Sequence, residues 1–78
     1  MKAEKYVIVT ENGPEQSMKV RFGFGAAGEE VQKLLESQNV ERIRVRIDGT
    51  HTETVFPTSR PWKLLDIKQR IKSLSIHD

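Results

Sequence analysis

The chain has no cysteine among its 78 residues. That excludes a disulfide framework and a thiolate metal site, and nothing points to an oxidising compartment. Aromatic residues are scarce: one Trp, one Tyr and three Phe. The apolar run near the N-terminus, Tyr6 to Val9, is too short for a secretory signal, and no segment is long enough to span a membrane. The only histidines, His51 and His77, do not stand at metal-ligand spacing from a second ligand. No serine lies in a nucleophile-elbow motif. These absences lead us to expect a soluble cytoplasmic protein that is not an enzyme and holds neither metal nor cofactor. At 78 residues it forms a single small domain, with a thin core and no large ligand cavity.

What is present is charge, unevenly spread. The net charge is +2, but residues 1–39 carry five bases and six acids, whereas residues 40–78 carry eight bases and five acids. The most distinctive run is Arg42, Arg44 and Arg46, interleaved with Ile43, Val45 and Ile47. Period two is the signature of a half-buried strand, with one face in a core and the other bearing three guanidiniums. Like charges so close repel, so the row points to an anionic partner rather than to stability.

Other segments fill in the plan. Lys5–Thr10 reads as a central strand, covered on both faces. Asn12-Gly13 signals a hairpin, with a loop that looks longer than two residues. Met18–Phe24 alternates, which sends Met18, Val20, Phe22 and Phe24 to the core and Lys19 and Arg21 outward. A helix over Ala26–Gln38 carries the stripe Ala27, Val31, Leu34, Leu35 and Gln38, with Glu29 and Glu30 in its first turns. Val40–Ile47 is the arginine strand. Asp48-Gly49 turns the chain tightly, and His51–Phe56 returns as a fourth strand ended by Pro57. Thr58 or Ser59 caps a last helix that has Pro61 in its first turn and buries Leu64, Ile67, Ile71 and Leu74.

The order is thus ββαββα. We expect an α+β fold of two layers: a four-stranded, mainly antiparallel sheet in the order 2-1-3-4 with two helices on one face. A shift of 36 residues lays Val7 and Val9 on Ile43 and Val45, and Gly13 on Gly49, in keeping with a pseudo-symmetric plan.

Gly23-Phe-Gly25-Ala-Ala-Gly28 matches the dinucleotide pattern G-x-G-x-x-G between a strand and a helix, and Asp48 lies 20 residues beyond Gly28. The flanking strands are half charged, however, whereas the strands of a dinucleotide fold are buried on both faces. The expected reading is a glycine-rich turn, with Asp48 serving its hairpin. A bare phosphate on the amides around Ala26 to Glu29 is the narrower alternative.

With both helices on one face, alternation would display Tyr6 and Ile8, Lys19 and Arg21, the three arginines, and His51, Glu53 and Val55 on the other. Cations around a flat ring, here Tyr6, suit single-stranded nucleic acid. Trp62, between Arg60 and Lys63, is either an exposed anchor or a ring folded over Pro57, Pro61 or Leu65. The expected function is therefore a non-catalytic, basic binding domain for nucleic acid (DNA or RNA) through Tyr6, Lys19, Arg21, Arg42, Arg44, Arg46, Arg60 and Trp62. The alternative is an adaptor or inhibitor that binds an acidic protein, or its own copy. Glu53 near Arg44 and His51 is the sole material for acid–base chemistry.

Overall fold

The computed structural model describes residues 4–37 and 39–76. Its elements are β1 (Lys5–Asn12), β2 (Glu15–Phe22), α1 (Phe24–Glu36), β3 (Arg42–Ile47), β4 (Glu53–Pro57), α2 (Leu64–Lys72) and a 3-10 turn, Ser73–Ile76. The four strands form one sheet in the order β2-β1-β3-β4, antiparallel at every step. This is the ββαββα, α+β arrangement expected from the pattern of the chain.

The most apolar strand sits inside the sheet, where it is covered on both sides: Tyr6, Val7 and Ile8 are all buried. One face of the sheet supplies Tyr6, Ile8, Ile43, Val45 and Phe56 to the core. Ala27 and Val31 of α1, Ile67 and Ile71 of α2, and Leu74 complete it. Both helices therefore lie on that face, each through its own apolar stripe. Gln38 and His77 fall outside the described residues.

The β1–β2 connection departs from expectation. It is a two-residue loop, Gly13-Pro14, with Gly13 at φ 64, the left-handed conformation that short hairpins need. It pairs Asn12 with Glu15 and hence Tyr6 with Arg21, Val7 with Val20, Ile8 with Lys19 and Val9 with Met18. Directly paired residues share a face. Lys19 and Arg21 therefore lie on the helix-covered face beside Ile8 and Tyr6, while Met18, Val20 and Phe22 lie on the open one. This reverses the faces expected for β1 and β2 together: Tyr6, Ile8, Lys19 and Arg21 share one face as expected, but it is the helix-covered one.

Other boundaries move for local reasons. Helix α1 begins at Phe24, with Gly23 at φ 86 as its N-cap. Phe24 thus leaves the strand and is 40% exposed rather than in the core. Glu29 and Glu30 fall in the second turn of α1, not at its dipole end. The β3–β4 loop spans residues 48–52, so His51 belongs to the loop and not to a strand. Helix α2 starts at Leu64 after Lys63 as N-cap, with no side-chain cap; the Thr58 hydroxyl instead donates to the Glu41 carbonyl at 3.3 Å.

The glycine motif has a packing explanation. A Cβ on Gly28 would stand 2.6 Å from Cγ of Lys68, so glycine lets α1 and α2 approach closely. Because α1 starts early, the Ala27 amide already donates to the Gly23 carbonyl and the Gly23 amide to the Glu4 carbonyl. The amides proposed for a bare phosphate are therefore largely inside the helix. Asp48 pairs with Lys5 at 3.7 Å and Arg46 at 3.9 Å, as a hairpin residue.

Candidate functional site: the open face of the sheet

Neither helix packs on the second face of the sheet. Register assigns it Lys5, Val7, Val9 and Glu11 from β1, Gln16, Met18, Val20 and Phe22 from β2, the three arginines from β3, and Glu53 and Val55 from β4. Of the expected face, the arginine row, Glu53 and Val55 are where alternation puts them. His51 stands at its rim, with Arg46, Gly49, Thr50 and Glu53 around an open depression.

Tyr6 is not on this face. It is 2% exposed, on the helix side, with its hydroxyl 3.5 Å from Glu4. Burial, then the neighbouring Glu4 charge, pushes its ionisation up. No base can stack on it. Lys19 and Arg21 are also absent from the face: both reach across the helix side to Glu30 of α1, at 3.1 and 2.8 Å. Burial works against the charge on Glu30, but the hydrogen bonds and charges of Lys19 and Arg21 outweigh it and hold the carboxyl below its usual range.

The arginine row is more nearly neutral than its sequence implies. Glu11, at the end of β1, receives Arg42 at 2.7 Å and stands 3.3 Å from Nε of Arg44. The Arg42 hydrogen bond holds the Glu11 carboxyl below its usual range against desolvation. Arg44 also reaches Glu53 at 3.5 Å, and Arg46 reaches Asp48 at 3.9 Å. Nε of Arg44 is buried and has no aligned acceptor, so its contact with Glu11 is an ion pair without a hydrogen bond. Glu53 was the one nearby acid apparent in the sequence; Glu11 and Asp48 join it because β1 and the hairpin bring them alongside.

The apolar part of the face was missed in the sequence. Met18 and Phe22 are each 63% exposed, and Val55 is 37% exposed. Met18 and Phe22 join the arginines because β1 pairs with β3 so that Val7 stands opposite Arg46 and Val9 opposite Arg44, a long-range register that local spacing does not signal.

Trp62 lies apart from this face and is partly buried against the core. Its ring meets Phe56 edge-on at 5.2 Å, and its indole N–H donates to the Pro57 carbonyl at 2.8 Å. Arg60 covers it at 3.7 Å and Arg70 at 5.1 Å. It is the folded-over ring, not a free anchor. Among the described residues, no cluster of His, Cys, Asp or Glu has the geometry to hold a metal ion, and no helix is long and apolar enough to cross a membrane. No family model matches this chain, and comparison with curated proteins and solved structures returns no similar protein.

Proposed function

We propose that this chain is a small, non-catalytic binding domain that docks a protein on the open face of its sheet. One observation carries the reading. The arginines of β3 are matched on their own face by Glu11, Glu53 and Asp48, while Met18, Phe22 and Val55 remain exposed beside them. A row whose charges are already countered releases few counterions from a phosphate backbone, which is the main source of nucleic-acid affinity. The other parts of the nucleic-acid reading, Tyr6, Lys19 and Arg21, face the helices. Apolar side chains among paired charges instead match the composition of protein interfaces, in which Met, Phe and Arg are enriched.

The test has two arms. Trp62, the sole tryptophan, reports titrations with short single-stranded and duplex DNA and RNA at low and moderate salt. We expect no saturable change. Binding that weakens steeply with salt, and less steeply after joint replacement of Arg42, Arg44 and Arg46, would return the function to nucleic acid. In the second arm, the wild type and a Val55→Asp variant are used side by side to capture proteins. A partner held by the wild type and lost by the variant supports the reading; equal retention removes it.

A further inference from the structure

The two edges of the sheet are treated differently. Antiparallel strands alternate between residues that bond to one neighbour and residues that bond to the other. The Gly23 amide donates to the Glu4 carbonyl, which places the odd-numbered residues of β2 in the β1 ladder and turns the N–H and C=O of Gln16, Met18, Val20 and Phe22 outward. By the same alternation, from Asp48 N–H to Lys5 O, the outward groups of β4 belong to Glu53, Val55 and Pro57.

The β4 edge is closed. The Arg70 guanidinium donates to the outward Val55 carbonyl at 3.3 Å, the Trp62 indole donates to the outward Pro57 carbonyl at 2.8 Å, and Pro57 has no N–H to offer. Among the described residues the β2 edge is guarded at one group only: the Arg21 guanidinium donates to the outward Val20 carbonyl at 2.8 Å, and that oxygen keeps a second lone pair for an incoming amide. The strand is 8 residues long, pairs with β1 without a bulge and contains no proline. Lysine and arginine often blunt such edges; here Lys19 and the other arm of Arg21 are drawn over the helix side to Glu30, and the N–H and C=O of Gln16 and Met18 stay open. Met18 and Phe22 stand exposed along the strand.

We propose that β2 pairs antiparallel with β2 of a second copy, about a two-fold axis at Met18, joining the two sheets into one. The strand is charge-complementary to its own reverse. With Met18 facing Met18 of the other copy, Glu15 at one end lies opposite Arg21 at the other, and Ser17 lies opposite Lys19. An axis one residue further on, at Lys19, sets two lysines against each other, and one at Val20 sets Lys19 against Arg21; like charges directly opposite destabilise a sheet. Only outward-facing residues form the bonded pairs in the Met18 register: Gln16 with Val20, and Met18 with itself. Three narrow pairs give about six hydrogen bonds. The side chains of Met18 and Val20 from both copies then meet on the open face, in a strip that each copy alone leaves in water. This pairing takes Met18 from the docking face described above and leaves Val55 and the β3–β4 part of it open, so Val55→Asp, which removes docking, leaves the dimer intact.

Sedimentation over a range of concentrations is expected to show a reversible dimer. Val20→Pro removes an outward N–H that β1 does not use, and proline is tolerated there; the dissociation constant should rise about tenfold or more. Met18→Lys puts two ammoniums at the axis and should do the same, with circular dichroism confirming that each variant is folded. In the cysteine-free chain, Met18→Cys should oxidise to a covalent dimer, because partners in a bonded pair lie about 5.5 Å apart between Cα atoms, within disulfide reach. Val55→Cys, on the closed edge, should not. A protein that stays monomeric at every concentration overturns the proposal. So does a dimer indifferent to both edge variants, or a Met18→Cys chain that cross-links no faster than Val55→Cys. A monomer that takes up an extended peptide along β2 would assign the edge to a foreign strand and likewise overturn the second copy as its occupant.

Discussion

The indole N–H of Trp62 donates to the carbonyl of Pro57, which points outward from the last strand of the sheet. One residue outside any helix thus closes a strand edge and covers Phe56 of the core. Trp62→Phe keeps a ring against Phe56 and loses the hydrogen bond, a cost of about 1 kcal/mol. Trp62→Ala loses both and should cost about 2–4 kcal/mol. Urea unfolding followed by circular dichroism measures the two. Equal losses would mean that the ring packing on Phe56 contributes nothing, and an unchanged Trp62→Phe would mean the same of the hydrogen bond.

Gly28 and Lys68 set the approach of α1 to α2. Gly28→Ala gains about 1 kcal/mol of helix propensity, but its methyl would stand well inside contact distance of the Lys68 stem. Overpacking of this kind costs about 1–3 kcal/mol, so a lower melting temperature is expected. Lys68→Ala removes the obstructing Cγ, and the next contact, with the Lys68 backbone, is an ordinary 3.5 Å. In that background Gly28→Ala should be neutral or stabilising. A thermal-melt double-mutant cycle without this coupling would show that the helices separate freely.

Glu30 and Glu11 make stability acid-sensitive. Both carboxyls are held below their usual range, so between the folded and unfolded values the unfolded chain binds more protons. Their contribution is complete above the unfolded glutamate value of about 4.3 and is lost as pH falls through the folded values. Melting temperature should therefore drop between about pH 5 and pH 3. Glu30→Gln should melt lower at neutral pH and show a shallower acid decline. An unchanged decline would place the proton-linked stability elsewhere.

Neutralisation of the arginine row is itself testable. Glu11→Gln with Glu53→Gln removes two of the three acids that counter it. The variant should elute from a heparin column at higher salt than the wild type and bind single-stranded DNA with a steeper salt dependence. Identical elution would mean that the guanidiniums are already free to meet an anion.

Much of this architecture was legible in the sequence. The apolar run of β1 marks a central strand, the stripes of Val31 and Leu34 and of Ile67 and Ile71 mark helices facing one core, and period two in β3 puts Ile43 and Val45 inward and the arginines outward. Each rests on a local repeat that only one placement satisfies. In β2 both sets of alternate residues looked assignable, and the apolar set, Met18, Val20 and Phe22, was sent to the core. The register of β1 on β3 decided otherwise: it sets Val7 and Val9, not Tyr6 and Ile8, opposite the arginines, and β2 turns over with β1. Gly13-Pro14 fixes an odd sum of paired numbers, so the even residues of β1 share a face with the odd residues of β2, and a slip of one residue would invert every side chain. The inverted strand is tolerated because Glu30, facing inward on α1, supplies a counter-charge for Lys19 and Arg21.

The sequence by itself determined the kinds and order of elements, the strand order and most of the core, because hydrophobic periodicity is written into neighbouring residues. Only the tertiary structure decided the character of the open face. Whether three arginines form a basic surface or a countered one depends on Glu11, which is 31 residues from Arg42 in the chain and 2.7 Å from it in space. Long-range pairing of that kind is set by strand register and leaves no trace in local spacing.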